Sequence, residues 1–284
     1  MRDSLIIFCV LLALFLGLEN AIHLEALIYV PAIQQVGIPI LIFSLSSRFI
    51  TNVKVSKLWY WMGIPLGVSS SAICLLDLLS NLETSAGFEK AIGVSLISLG
   101  YGLTVSMLGH AFCVRDSEQE TAFNTPPSIG LKVGIVFTAL TCLMVSIESQ
   151  IGLIYVADVS GVLLVISTVL LGVFSSGKKK QADGIMRGFV FGALACVFVG
   201  LISYLFSGLD PKGFGPATAT ALSGLIYAGF GMVITIACLN FKELIQADIP
   251  RLNWHLLEVY ALWVLMIFAP MSLRESFALI PTFS

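Results

Sequence analysis

A unit of four apolar segments is written twice in this chain, the second copy following the first by about 126 residues with its landmarks in the same order. Gly63-x-x-x-Gly67 returns as Gly188-x-x-x-Gly192, Gly87-Phe88 as Gly213-Phe214, and Leu96, Leu99 and Tyr101 as Leu222, Leu225 and Tyr227. Ile28-Tyr29-Val30, closed by Ser46-Ser47, likewise returns as Ile154-Tyr155-Val156, closed by Ser175-Ser176. Recurrence on this scale restricts the fold to two like units before any single residue is interpreted.

Charged residues make up only 11% of the 284, against 57% hydrophobic, and the mean hydropathy is +0.97, so there is too little charge to cover a water-soluble surface. The apolar runs are long enough to cross about 30 Å of hydrocarbon as helices, and the Gly and Pro within them are tolerated there. Nine spans are expected, at 4–18, 27–45, 58–80, 91–114, 131–148, 156–175, 186–207, 216–240 and 254–273. The first is read as a span, not a secretory signal, because it lacks a net positive leading segment. With the N-terminus inside, Arg2, Arg48, Lys54, Lys57, Arg115, Lys132, Lys178, Lys179, Lys180, Arg187, Lys242 and Arg251 lie on the cytoplasmic side, and only Lys90, Lys212 and Arg274 lie outside. That asymmetry predicts an N-in, C-out topology.

The expected fold is therefore an all-α polytopic membrane protein with nine transmembrane helices. Residues 1–114 form a first four-helix repeat, 115–130 a cytoplasmic linker, 131–240 a second four-helix repeat, and 241–284 an inner polar segment, a ninth helix and an outer tail. An even number of spans per unit keeps both copies in one orientation, as parallel repeats about an axis along the membrane normal. No inner loop is long enough to form a cytoplasmic domain.

Few residues carry chemistry. Asp77 lies about one turn inside the outer boundary of the third span, where a carboxylate is costly unless it meets water, a cation or a partner. Read functionally it is an ion or proton relay; read structurally it reaches headgroup water. His110 is read as a packing histidine and Lys178-Lys179-Lys180 as a headgroup anchor. Cys9, Cys74, Cys113, Cys142, Cys196 and Cys238 lack paired spacing and are read as small apolar residues. The pairs Gly63/Gly67 and Gly188/Gly192 offer surfaces for close helix packing, with Tyr101 and Tyr227 as hydroxyls for a helix contact. No nucleophile–base pair, metal constellation, phosphate-cradling loop or nucleic-acid patch is visible, so no catalytic residue, metal, cofactor or enzymatic activity is expected.

In the second copy the run Leu209-Asp210-Pro211, Gly215-Pro216-Ala217, Ala221-Leu222 and Tyr227-Ala228 resembles the segment joining the last two membrane helices of MotA-type flagellar stator subunits, in the MotA/TolQ/ExbB ion-channel family. The first copy is similar but more diverged, with Asn81-Leu82-Glu83, Gly87-Phe88, Ala91 and Tyr101-Gly102, and Ile28–Ser47 and Ile154–Ser176 look like the family's second helix. The resemblance covers about residues 4–114 and 131–240 and implies a membrane subunit of an ion-driven complex in the bacterial inner membrane, assembled with other membrane subunits. Only Arg48–Lys57 and Gly177–Arg187 stand where stator members carry a large rotor-contacting domain.

The resemblance also implies an ion path. Ser71 and Ser98 fall where the family has Thr in its third and fourth helices; the corresponding residues of the second copy are Val197 and Gly224, with Ser203, Ser223, Thr218 and Thr220 nearby. Glu258, early in the ninth span, resembles in position the ion-binding acid of MotB-type single-span partners, and the alternative is an interfacial acid paired with Arg251 or His255. Ser71, Asp77, Ser98 and Glu258 are thus the candidate ion-pathway residues. A MotB/ExbD-like single-span protein is a candidate partner, in an oligomer or hetero-complex, alongside membrane lipids. Two other readings stay open: a parallel-repeat transporter of small solutes or ions, and a non-conducting membrane scaffold.

Overall fold

The computed structural model describes residues 29–46, 54–80, 85–115, 129–150, 152–177, 180–206, 211–238 and 248–278. The described residues are helical apart from short connections. The long helices are α1 (Val30–Leu45), α2 (Val55–Ser80), α3 (Ser85–Arg115), α4 (Ile129–Gln150), α5 (Val159–Ser175), α6 (Gln181–Phe206), α7 (Pro211–Cys238) and α8 (Ile249–Ala278), with a single turn at Leu153–Val156 before α5. The expected first span, 4–18, and most of the 115–130 linker lie outside the described residues. Helix is what such sequences must adopt in lipid, since only it pairs every backbone N–H and C=O within the segment.

Four helices among the described residues are long and apolar enough to cross a membrane: Val55–Leu76, Gly93–Cys113, Gln181–Phe206 and Thr218–Cys238. This is a helical membrane protein. Val30–Leu45, Val133–Ser149 and Val159–Ser175 are apolar but shorter. Residue 253, expected in a polar inner segment, instead lies within α8, which begins at Ile249.

α2 is the centre of the bundle, with every residue from 61 to 76 buried. It packs against α1, α3, α7 and α8, while α6 packs against α5, α7 and α8. Contact order along each pair gives the directions. Ser71 meets Ser95 and Ser106 meets the Tyr60 carbonyl, so α2 and α3 are antiparallel. Ser69 reaches the Ile226 carbonyl while Gly229 abuts Pro65, and Gly224 abuts Cys196 while Gly231 abuts Phe189, so α7 is antiparallel to both α2 and α6. Hence α2 and α6, at corresponding places in the two halves, run the same way. Asn253 meets Trp61 and Tyr260 meets Ser71, so α8 runs parallel to α2.

The tyrosines singled out by sequence make matching contacts. Tyr101 of α3 receives the backbone N–H of Tyr29, the residue capping α1, at 3.3 Å. Tyr227 of α7 receives that of Asp158, the residue capping α5, at 2.9 Å, and donates to the Val156 carbonyl. Each hydroxyl thus satisfies a backbone group that a helix start leaves open. These contacts revise the alignment of the halves. Tyr29 matches Asp158, an offset of 129 rather than 126. The likeness of Ile28-Tyr29-Val30 to Ile154-Tyr155-Val156 is therefore out of register, whereas Ser46-Ser47 and Ser175-Ser176, 129 apart, are in register.

The glycine pairs pack closely, but on different neighbours. A Cβ on Gly63 would lie 2.6 Å from the Gly102 carbonyl oxygen, and one on Gly67 would lie 2.9 Å from Gly102 Cα, so this pair seats α3. Gly188 and Gly192 seat α5 instead, where their Cβ atoms would meet Val169 Cα at 2.5 Å and Thr168 Oγ1 at 2.7 Å. A shared sequence motif serves close approach in both halves, yet the approaching helix differs.

Pro65 accounts for one polar anchor of α8. Proline has no N–H to give the carbonyl four residues earlier, so Trp61 loses its helical partner, and Asn253 Nδ2 donates to that oxygen at 2.8 Å with the Asn253 side chain 1% exposed. Asn253→Leu is expected to cost about 1–3 kcal/mol by stranding a buried acceptor. Pro65→Ala, which restores the helical N–H, should recover part of that loss in the double variant. Thermal unfolding in detergent measures both; simple additivity would show that the two groups do not serve one carbonyl.

Candidate functional site

Two of the residues expected to line an ion path, Ser71 and Ser98, sit on stripes of α2 and α3 that face each other. On α2 the stripe reads Tyr60, Gly63, Gly67, Ser71 and Cys74, at three- and four-residue spacing that keeps side chains on one face of a helix. Opposite, α3 presents Ser95, Ser98, Gly102, Ser106 and Gly109. Small side chains let the backbones approach, and each hydroxyl then finds a partner across or along the seam, as interhelical contacts in membranes require.

Three hydroxyls close into a ring. Ser71 Oγ lies 2.6 Å from Ser95 Oγ and 2.5 Å from Tyr260 OH, and Ser95 Oγ lies 2.7 Å from Tyr260 OH. All three are buried, at 0%, 1% and 3% exposure. If each hydroxyl donates to the next, every member has one donor and one acceptor satisfied. Ser98 is outside the ring. Its Oγ donates to the Val94 carbonyl at 2.9 Å and lies 3.2 Å from Cys74 Sγ. One helical turn inward, the Gly63/Gly67–Gly102 crossing seals the seam, because atoms that would abut a Cβ at 2.6–2.9 Å leave no room for water. Beyond it Ser106 Oγ donates to the Tyr60 carbonyl at 2.9 Å, and the Tyr60 and His110 rings stand 4.9 Å apart.

Sequence reasoning missed Ser95 and Tyr260. Ser95 lies three residues before Ser98 on the same helical face, so a test of seam periodicity would have found it. Tyr260 had no such signal, because its contact joins residues 189 positions apart. Glu258 is not brought to the site. It is 70% exposed and meets His255 Nδ1 at 2.9 Å, two residues around the helix from the buried Tyr260. Asp77 lies in α2, and its side chain falls outside the described residues. Tyr101 and Tyr227 lie away from the ring, at the starts of α1 and α5.

The corresponding place in the second half holds no hydroxyl ring. Val197 is 1% exposed, and Gly224 is where it is because a Cβ there would strike the Cys196 side chain. Ser223 faces another way, its Oγ 3.2 Å from Asp158 Oδ2. That carboxylate also accepts from Ser160 N at 3.1 Å and Ser160 Oγ at 2.6 Å, the arrangement of a capping aspartate. Among the described residues no group of three or more His, Cys, Asp or Glu could hold a metal ion.

Fold and site together define a helical membrane bundle whose polar residues are turned inward along the α2–α3 seam and closed by α8. No protein-family profile, curated protein or solved structure matches this chain.

Proposed function

We propose that the chain is a membrane subunit of a MotA/TolQ/ExbB-like ion-driven complex that supports or completes the machine, with the α2–α3 seam serving as an internal brace. The observation that carries the supporting role is the ring of Ser71, Ser95 and Tyr260: Ser71, which the resemblance assigns to an ion path, is taken up by Ser95 and by Tyr260 of α8, while Ser98, outside the ring, donates to the Val94 carbonyl. A dry glycine crossing on one side of the ring favours the same reading. The shared direction of α2, α6 and α8 is that of the third, seventh and ninth spans of a nine-span bundle, the basic residues favour the N-in orientation, and the paired tyrosine contacts support two parallel four-helix repeats. The resemblance places such a subunit in the bacterial inner membrane.

Two measurements test this. The chain reconstituted alone in liposomes is expected to pass no ions above the empty-vesicle level, and gentle purification from its native membrane should bring other membrane subunits with it. A lone monomer without partners, or flux through the isolated chain that Ser71→Ala abolishes, would overturn the proposal. A transporter built from the same repeats would place its cavity between the halves, where α2 meets α7. There Gly229 is pressed against Pro65 and Ser69, and Leu222, Leu225 and Ile226 are buried, so no observation favours that reading.

A further inference from the structure

We infer that a second copy of this chain docks head-to-tail, its α3 lying on the outward face of α6 as α7 lies on α2 within one chain. The inference uses the correspondence of the halves and does not depend on the ion-driven role. Its starting point is how the halves meet. α2 of the first half packs against α7 of the second. A twofold relation would repeat that contact between α6 and α3, the counterparts of α2 and α7, yet among the described residues these two make no comparable contact. The internal interface is therefore heterologous, joining one face to a different one, and such an interface leaves an unused copy of each face.

Both unused faces are open. The pairs Gly63/Gly67 and Gly188/Gly192 set an offset of 125 between α2 and α6. Met62, Leu66, Ser69, Ser70, Ile73 and Cys74 of α2 are buried, whereas at that offset Arg187, Phe191, Phe198 and Val199 are exposed and Leu194 and Ala195 half-buried. These positions recur at i, i+4, i+7, i+8, i+11 and i+12, one face of a helix. Ser69, within that face, is the residue that reaches the Ile226 carbonyl of α7. Away from it Gly67, Val68, Ser71 and Ala72 are buried, and so are their counterparts. α3 and α7, aligned by Tyr101 and Tyr227 at an offset of 126, differ in the same way. Leu96, Thr104, Met107 and His110 are exposed where Leu222, Phe230, Val233 and Ile236 are buried. Gly100 lies in that face, and a Cβ there would meet nothing within 4 Å, whereas its counterpart Ile226 is buried. Toward the seam Ser95, Ser98, Gly102 and Ser106 are buried, as are their counterparts.

Lipid would cover an apolar face whatever its relief, but these two faces fit each other. The internal contact sets the small Ser69 of α2 against Ile226 of α7. Their counterparts are Leu194 and Gly100, large against small, so the bulk passes from one helix to the other while the filled volume is roughly kept, the kind of exchange that packed surfaces tolerate. Each copy carries both faces, so association continues past two copies until it closes into a ring.

Site-specific photo-crosslinking in membranes tests the docking. Ser69 lies at Ile226 and Pro65 at Gly229, and that antiparallel register, carried to the counterparts, sets Phe198 of one copy beside Leu96 of the next. A benzoylphenylalanine probe in place of Phe198, in full-length protein co-expressed with a differently tagged copy, is expected to give an adduct carrying both tags, mapped by mass spectrometry to α3. The same probe in place of Leu96 should map to α6 of the other copy. Both positions are exposed within one chain, so neither probe disturbs its fold. Adducts from both positions confined to lipid, to the probe's own chain, to a different protein or to any other helix of the second copy would overturn the inference.

Discussion

Gly102→Val is expected to abolish the folded protein, leaving no monodisperse species after detergent extraction. Gly102 stands at a close backbone crossing of the α2–α3 seam, where the Gly63 and Gly67 backbones press on it from the facing helix. A flexible side chain could move aside, but here the opposing atoms are main chain, fixed by two helical hydrogen-bond ladders. Inserting side-chain volume into a packed core costs about 1–3 kcal/mol where neighbours can relax. At this crossing the helices must separate instead, which breaks the Ser106–Tyr60 and Ser71–Ser95 contacts on either side. A Cβ on Gly100, two residues away, would meet nothing within 4 Å, so Gly100→Val should leave extraction and size-exclusion behaviour intact. Equal behaviour of the two variants would mean that loss of glycine in α3, and not the crossing, is responsible.

The same comparison shows what could be read from sequence. Helix content and the importance of the glycine pairs were legible because both follow from local pattern: long apolar runs must be helical in lipid, and small residues at four-residue spacing make a surface for close approach. Which helix approaches was not legible, since the motif at Gly188 and Gly192 is the motif at Gly63 and Gly67 and nothing local states that the neighbour is α5 in one case and α3 in the other. The 126-residue period was also misleading at the head of α5. A three-residue shift preserves apolar character, so Ile-Tyr-Val matched by identity, whereas the hydrogen bond to Tyr227 depends on which residue starts the helix. At the site, Ser71 and Ser98 were found by resemblance, but their chemistry depends on Tyr260, brought in from a distant helix. The acid in that helix stands out in the sequence as a charge, and it lies on the exposed side because a carboxylate beside His255 keeps its water.

Burial of Tyr260 makes α8 a structural member of the bundle, and its hydroxyl and its ring should contribute by different amounts. Tyr260→Phe removes two edges of the ring but leaves Ser71 and Ser95 paired at 2.6 Å, so the expected loss is about 0.6–1.7 kcal/mol, the range of single interhelical hydrogen bonds in membranes. Tyr260→Ala also removes the aromatic body from a site flanked by Leu256, Val259 and Trp263, and a cavity of that size costs about 3–5 kcal/mol. Ser71→Ala breaks two edges as well, one of them shared with Tyr260→Phe. The double variant should therefore lose less than the sum of the singles by about 0.5 kcal/mol or more, the signature of a contacting pair. Unfolding midpoints in detergent for the four members of the cycle supply the numbers. Strict additivity would show that the hydroxyls act independently and would dissolve the ring as a unit, whereas equal losses for Tyr260→Phe and Tyr260→Ala would place all of the energy in the hydroxyl. Unequal losses with coupling mean that α8 is held by packing and aligned by hydrogen bonding. In that case the helix that closes the seam cannot leave it without exposing Ser71 and Ser95 together, and the seam remains closed for as long as the protein is folded.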